Sequence, residues 1–367
     1  MSWLWSVRTP GHIAKSEHVR CRLVNRRTWT LLTSVVLVVA FGLLGAFARV
    51  PFVALGPGPT YDTLGLEGDH PVIGVEGHET YPTAGHLNMT TVSVTDQLSL
   101  FGALGLWVSG RYALAPRDVY FPPNKSEQQI EQENTEAFND SQTTAETAAL
   151  RFLGYPHKVL VGQIVKGSPA DGTLEPGDRL LNANGKPVTD AASLKAALAG
   201  TKPGDRVEIR YQRADQPEQV ASVQLGRNDQ PGGDQSQGFL GVGATERPDV
   251  PFEIKISLAD VGGPSAGLMF TLAIIDKLTP GELNGGKFVA GTGEIDPAGN
   301  VGPIGGIPFK MIKAKEAGAT TFLVPAENCA EAKSQAPDGL QLARVANLVD
   351  ATKAMEALRA NQAPAAC

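Results

Sequence analysis

The pattern of hydrophobic and polar positions is most extreme near the beginning of the chain. No residue between Arg27 and Arg49 carries a charge, and the stretch from Leu31 to Ala48 is almost entirely apolar. About 20 such residues are long enough to cross a bilayer as a helix. Trp29 stands where an interfacial aromatic residue belongs. We therefore predict a transmembrane helix over residues 28–50.

The charges before this helix predict its orientation. Six basic residues against a single glutamate give residues 1–27 a net charge of +5, which leaves −11 for the rest of a chain whose net charge is −6. Basic flanks stay in the cytoplasm, so we expect a single-pass protein of the cell membrane with most of its chain extracytoplasmic. A cleaved signal peptide is the alternative, because Ala46-Phe47-Ala48 resembles a cleavage site, but the apolar run is longer than usual.

The pattern after the membrane segment is mixed. Residues 72–75 and 87–94 combine β-branched and polar residues as strands do, and residues 97–108 are apolar at helical spacing. The polar, acidic stretch 123–146 is interpreted mainly as a solvated helix face or a loop. Its end, together with the alanines that follow, predicts a helix over residues 143–153.

A small β-rich module follows at residues 158–226. Asn184-Gly185 is a strong hairpin signal, and Asp190 is placed to cap a short helix that ends near Ala199. The order of the segments GSPA, LEPGDRLLNANG and PGDRVEIRYQR resembles the bacterial PDZ domain. This resemblance implies that an extended peptide is captured as an added strand, with the loop around residues 154–158 as the matching site.

The segment around Ser265 is the first that suggests chemistry. Glycine and proline in Gly262-Gly263-Pro264 force a tight turn, and the apolar stretch 268–275 after it predicts a buried helix. A serine at the start of a helix lies near free backbone N–H groups that favour a negative atom. Serine is also a preferred N-cap residue, so this segment alone does not identify a nucleophile.

A second segment changes this interpretation. After G-P-S-A-G at residues 263–267 come T-G-E-I at 292–295, V-G-P-I-G-G-I at 301–307, and then Lys310. This order resembles the proteolytic domain of the Lon family. With the apolar helix and the PDZ-like module, the chain resembles the membrane-anchored bacterial Lon-like proteases that carry a PDZ domain.

The resemblance implies specific roles. Ser265 would be the nucleophile and Lys310 the general base, with Thr292 orienting the lysine. The backbone N–H groups of Ser265 and its neighbours, Gly263 among them, would form an oxyanion hole. A lysine acts as a base only when it is neutral, and burial among apolar groups favours that form. Lys310 has apolar neighbours in the sequence, whereas Lys313, the second candidate for the base, has fewer.

We therefore predict an α+β protein with an N-terminal transmembrane helix, a PDZ-like β module and a Lon-type proteolytic α/β domain. The predicted segments are a basic cytoplasmic leader (1–27), the transmembrane helix (28–50), an extracytoplasmic region with strands available to the proteolytic domain (51–154), the PDZ-like domain (155–228), a linker (229–237) and the proteolytic domain (238–361).

Composition excludes several other classes. With 42% hydrophobic and 19% charged residues, and with 41 glycines and 26 prolines, the chain is not a coiled coil, a collagen or a disordered protein. Its acidic balance argues against nucleic acid as a partner. The three cysteines and six histidines lack zinc-site spacing, and no phosphate-binding Gly-x-x-x-x-Gly-Lys-[Ser/Thr] loop occurs, so we expect no metal, no cofactor and no ATPase.

The sequence thus predicts an ATP-independent serine endopeptidase that cleaves unfolded or flexible extracytoplasmic polypeptides. Its expected partners are these substrates, a peptide ligand of the PDZ groove and the lipid bilayer, and the resemblance also implies a homo-oligomer. A catalytically inactive scaffold at the membrane is the alternative function. A carboxyl-terminal processing protease would leave the P-I-G-G segment unexplained. A bridge between Cys329 and Cys367 stays open at this point.

Overall fold

The computed structural model describes residues 26–258 and 261–367. The helices are α1 (Arg26–Phe47), α2 (Leu100–Val108), α3 (Arg117–Tyr120), α4 (Glu127–Phe152), α5 (Ala191–Leu198), α6 (Gly267–Leu278), α7 (Ile307–Ala317), α8 (Cys329–Ser334) and α9 (Leu348–Arg359). The strands are β1 (Phe52–Asp62), β2 (Leu66–Glu67), β3 (His70–Pro71), β4 (Ile73–Glu76), β5 (His86–Thr95), β6 (Ala113–Pro116), β7 (His157–Ile164), β8 (Arg179–Ala183), β9 (Lys186–Pro187), β10 (Arg206–Gln212), β11 (Gln219–Gln224), β12 (Val242–Pro248), β13 (Glu253–Ile256), β14 (Phe288–Gly291), β15 (Glu294–Ile295), β16 (Val301–Gly302), β17 (Thr321–Pro325) and β18 (Gln341–Val345).

The main sheet joins distant parts of the chain. Its strand order is β18-β17-β14-β5-β1-β6, with β5, β14, β17 and β18 running parallel and β1 running antiparallel to β5 and β6. Three of these strands come from the region 51–154 and three from the carboxyl-terminal part of the chain. The two regions therefore build one sheet, although the β module lies between them in sequence.

Both faces of this sheet are buried. Along β14, Val289 points to a core shared with α4, α6 and α9, and the next residue, Ala290, points to a second core shared with α7 and α8. Strand side chains alternate between faces, so the apolar runs of β14 and β17 suit a sheet covered on both sides. The predicted α+β class is confirmed.

Helix α4 includes most of the polar stretch 123–146, which was interpreted as a solvated helix face or a loop, and the predicted helix over residues 143–153 is its end. A reciprocal pair of hydrogen bonds between Ser126 and Gln129 caps its start. Its buried side chains up to Ala145 are spaced on one face, and residues 147–150 at its end are all buried. The ring of Phe138 packs edge-on against Phe270 of α6, with 5.8 Å between ring centres. One face of the helix thus belongs to the main core, and the polar residues cover the other.

The β module is a separate sheet with the order β11-β10-β8-β7-β12, and β9 pairs with β8. The expected Asn184-Gly185 turn connects β8 and β9, and both residues have positive φ, as a tight hairpin requires. The Asp190 side chain caps α5 as expected. The strand β12 was assigned from sequence to the proteolytic domain that starts at residue 238, but it pairs with β7 and so completes the module sheet.

Helix α1 is 22 residues long and almost entirely apolar after its first residues, and Gly45 is its one buried residue among those described. Its length and composition are those of a membrane span or of a signal sequence. Most of the predicted leader lies outside the described residues.

A disulfide closes the carboxyl-terminal end of the fold. Cys329, at the start of α8, is bonded to Cys367, so the bridge that the sequence left open is present. The last residues lie along β18, where the backbone N–H of Arg344 donates to the carbonyl of Ala365. The chain end is therefore held against the edge of the main sheet.

Candidate active site

Ser265 lies in the turn that leads into α6. The helix begins at Gly267, and its N-cap residue is Ala266, which has no side chain that could cap it. The Ser265 hydroxyl therefore does not serve as the helix cap, which was the simplest structural explanation for a serine at this place. Ser265 is half-buried, and its hydroxyl faces a pocket of about 340 Å³.

Helix α7 brings Lys310 to the same pocket. The helix starts after Gly306, which has a φ of +70° and lies so close to β5 that a Cβ atom would approach Val92 Cγ2 to 2.7 Å. Only glycine suits both conditions. Pro308 in the first turn favours the start of a helix, and Lys310 follows with its side chain turned inward, 2% exposed.

The three predicted side chains meet. The Lys310 amine lies 2.7 Å from the Ser265 hydroxyl and 2.8 Å from the Thr292 hydroxyl. The Thr292 hydroxyl in turn donates to the carbonyl of Ser265 at 2.9 Å. Thr292 thus connects the lysine to the backbone of the serine turn. This is the arrangement expected of a residue that orients the lysine.

Burial dominates the electrostatics of the lysine. Within the described residues, no carboxylate forms an ion pair with its amine, and desolvation lowers the Lys310 pKa to about 7, while the charge of Glu294 acts weakly in the opposite direction. A sizeable fraction of the lysine is therefore neutral near neutral pH and able to accept a proton. Lys313, by contrast, is half-exposed and lies 3.6 Å from a carboxylate oxygen of Glu316.

Gly263 is placed differently from its predicted role. Its φ is +84°, and its backbone N–H donates to the carbonyl of Asn134 on α4 at 3.0 Å. This N–H is therefore not free for an oxyanion in this conformation. The N–H groups of Ser265 and Ala266 have no hydrogen-bond partner within residues 26–258 and 261–367, and they lie at the positive end of α6.

Other elements hold the walls of the pocket. On one side, Tyr61 of β1 and Met89 of β5 line it, and on the other, Ile304 precedes α7. The side-chain amide of Asn328 both accepts from the N–H of Ile304 and donates to its carbonyl, each at 2.9 Å. Ser141 of α4 donates to the carbonyl of Pro264 at 3.0 Å. Tyr61, Met89, Ser141 and Asn328 were not predicted as site residues, because each lies outside the serine and lysine motifs.

A second concave site lies in the β module. The free edge of β12 and helix α5 border a groove of about 560 Å³, lined by Leu194 and Leu198 and closed at one end by the loop 238–241. From the sequence, peptide capture was expected at residues 154–158 instead. There, His157 and Lys158 already pair with β12, so their strand edge is occupied. The short apolar segment that starts at Gly238 lines this groove, and it is the sequence feature from which the groove could have been predicted.

The described residues contain no group of three or more histidine, cysteine or acidic side chains that could hold a metal ion. The polar side chains that line the main pocket are the hydroxyls of Tyr61, Thr91 and Ser265, the carboxylate of Glu294 and the amine of Lys310. The chemistry that this set supports is nucleophilic attack by an activated hydroxyl.

Comparisons with known families agree with this division of the chain. Residues 127–225 match the PDZ domain model, and residues 258–355 match the model of the Lon protease (S16) C-terminal proteolytic domain. The PDZ match starts where α4 starts, although α4 packs against the main core.

Individual Lon proteases are similar to a part of this chain. A Lon protease from Koribacter versatilis is 39% identical over 83 residues, which cover 23% of this chain and 10% of that protein. One from Chloroflexus aggregans is 38% identical over 114 residues, 31% of this chain and 13% of that protein. The chain thus spans about a tenth of the length of these relatives. The PDZ domain of an SdrC-like protein from Listeria monocytogenes is a solved structure with 23% identity and a TM-score of 0.21, covering 24% of this chain and 86% of its own.

The buried amine predicts an effect on stability. Below pH 7 the lysine is charged in both states, so its burial opposes folding in full. Between pH 7 and the ordinary pKa of 10.5, the folded state binds fewer protons than the unfolded state, and wild-type stability rises with pH. We expect Lys310→Met to raise the free energy of unfolding by about 1 kcal/mol or more near pH 7, and the gain to shrink toward pH 10.5.

Denaturant unfolding followed by circular dichroism across this pH range measures the difference. Lys313→Met is the matched control, because it removes a half-exposed lysine from the same helix. A gain that grows with pH, or a variant less stable than wild type at all pH values, would contradict a buried amine of lowered pKa.

Proposed function

Because this chain joins a PDZ domain to the proteolytic domain of the Lon proteases, we propose that it is an ATP-independent serine endopeptidase that works through a Ser265–Lys310 dyad. The observation that carries the proposal is the 2.7 Å contact between the Ser265 hydroxyl and an amine that is 2% exposed. A structural lysine would normally be exposed or paired with a carboxylate, whereas this amine has hydroxyl partners.

In the first half of the proposed reaction, neutral Lys310 takes the proton of Ser265 as the hydroxyl oxygen attacks the scissile carbonyl. The N–H groups of Ser265 and Ala266 are the donors available for the resulting oxyanion, and the dipole of α6 adds to their effect. The protonated lysine then gives its proton to the departing amine, which leaves an ester on Ser265.

In the second half, Lys310 is neutral again and removes a proton from a water molecule that attacks the ester. Lysine then returns the proton to the serine oxygen as the bond breaks. Thr292 touches neither the substrate nor the water in this scheme. Its hydroxyl keeps the Lys310 amine in position throughout the reaction. It accepts a hydrogen bond from the amine at 2.8 Å and donates one to the Ser265 carbonyl.

The proposed substrates are flexible or already unfolded polypeptides. This sequence has no phosphate-binding loop for ATP, and a pocket of about 340 Å³ accommodates a few side chains of an extended chain rather than a folded protein. We place these substrates outside the cytoplasm, with α1 as an uncleaved membrane anchor. The length of α1 and the basic residues that precede it support that topology.

The PDZ domain supplies peptide capture in this proposal. Strand β12 is the edge of its sheet, so an extended peptide can add beside it while its side chains enter the groove next to α5. The groove is distinct from the pocket at Ser265. Its contribution is therefore selection of the substrate or control of access rather than chemistry.

The dyad is tested by single substitutions in the full chain. We expect Ser265→Ala and Lys310→Met each to lower kcat/KM for an unfolded protein such as reduced casein by roughly 10³-fold or more, because the two groups act as one unit. Lys313→Met should retain activity near that of wild type. Retained activity in both dyad variants would contradict the mechanism, and a wild type that cleaves nothing would favour the inactive scaffold.

The proposal also predicts a pH profile. Since the base must be unprotonated, kcat/KM for a short fluorogenic peptide should rise about tenfold per pH unit at acidic pH and level off above a pKa of about 7. The rate is measured across this range at constant ionic strength. A rate that falls as the pH rises through 7 would contradict a lysine base.

The role of the groove is tested by Leu198→Asp, which puts a charge on its apolar wall. Leu198 is 8% exposed on α5. We expect cleavage of protein substrates to slow by roughly tenfold, the loss of one good apolar contact, while hydrolysis of a short peptide stays unchanged. Val220→Asp, on the opposite edge strand β11, is the control. Equal loss for both substrates would contradict a role in substrate selection.

A further inference from the structure

Helix α2 presents an apolar surface that the proposed protease chemistry does not use. Its sequence LFGALGLWV lies in a stretch without charge between Asp96 and Arg111. Five large apolar side chains are exposed on it, with exposed fractions from 49% to 71%: Leu100, Phe101, Leu104, Trp107 and Val108. A soluble surface rarely carries so many apolar side chains on a helix of nine residues.

The opposite face of α2 is already packed. Ala103 is buried together with Leu98 and Ala54 of β1, and Leu106 packs against the same cluster. The side chain of Ser99 caps the helix by accepting from the N–H of Gly102. The helix is therefore fixed on the main sheet by one face, and its exposed face points away from the domain.

The start of α2 is joined to the end of α1. The N–H of Leu100 donates to the carbonyl of Ala48 at 3.2 Å, and the N–H of Val50 donates to the carbonyl of Leu98 at 2.9 Å. The ring of Phe101 lies against Gly45, where a Cβ atom would collide with it. The two helices thus meet at the boundary of the apolar segment, and the exposed face of α2 begins at the depth of Gly45.

We propose that α2 lies in the surface layer of the lipid bilayer, with its five exposed apolar side chains in contact with acyl chains. The proposal rests on the membrane anchor of the proposed function. If α1 spans the membrane, Gly45 lies inside the apolar layer, because the first charge after it is Arg49. Phe101 touches Gly45 and is then at the same level.

Lipid fits this face better than a second protein copy does. The exposed apolar surface of α2 is continuous with that of α1, so lipid that surrounds α1 would also contact α2. At its far end the apolar stretch is bounded by Ser109, Gly110 and Arg111, and Trp107 stands one turn inside that polar boundary. An amphipathic tryptophan near the polar end of an apolar stretch is typical of an element that lies in the headgroup region.

The experiment uses full-length protein in vesicles of phosphatidylcholine and phosphatidylglycerol. Tryptophan-to-phenylalanine substitutions at three of the four tryptophans leave either Trp29 or Trp107 as the single fluorophore. The matched control replaces all four and adds Val220→Trp, at a site on β11 that is 60% exposed, as Trp107 is 61% exposed. Quenching is measured with lipids brominated near the headgroup end of the acyl chains and with aqueous acrylamide.

We expect the brominated lipids to quench Trp107 several-fold more than the tryptophan at position 220, and acrylamide to show the reverse order. If Trp29 is quenched by lipid but Trp107 by acrylamide, the anchor stands and the proposal for α2 is overturned. If neither quencher reaches Trp107, protein covers the helix, and the proposal for α2 is overturned in that case too. If lipid quenches Trp107 but not Trp29, α2 binds the membrane and the anchor fails.

Discussion

The burial of one amine is the constraint on which the rest of the site depends. A lysine can act as a base near neutral pH only where water is excluded from it. Here that exclusion comes from the packing of α7 between the main sheet and α8. The enclosed amine finds two hydroxyl groups rather than a carboxylate. A carboxylate partner would have held the proton on the lysine, so its absence from the described surroundings is as important as the burial.

Helix α4 connects the serine turn to the PDZ domain. It holds the turn through the carbonyl of Asn134 and the hydroxyl of Ser141. Further along, Arg151 forms an ion pair with Glu246 of β12 and donates to the carbonyl of Pro297. One helix therefore touches the turn before Ser265, the edge strand β12 and the loop after β15. Before the N–H of Gly263 can face an oxyanion, it must leave Asn134.

Short motifs singled out three side chains that the structure places in contact, and long-range contacts were beyond the reach of such motifs. The positions of Ser265, Thr292 and Lys310 relative to their helices and turns follow from local signals, namely glycine, proline and the apolar residues after them. The structure then brings the three side chains together. The sequence did not show that the strand edge at residues 157–158 is occupied, because its partner β12 lies beyond the predicted linker (229–237). The Gly263 N–H is hydrogen-bonded to the carbonyl of Asn134 on helix α4. No local sequence pattern connects these two residues, so this contact could not be predicted.

The path of β1 limits where a membrane-anchored form can cut. The strand begins at Phe52, three residues after Arg49, and its later residues Pro59 and Tyr61 line the pocket. At about 3.3 Å per residue, the pocket lies at most roughly 30 Å along the strand from its membrane-facing start. A folded domain of about 100 residues has a comparable width. If α1 spans the bilayer, a folded substrate domain would fill that space, whereas an extended segment close to the membrane would reach Ser265 directly.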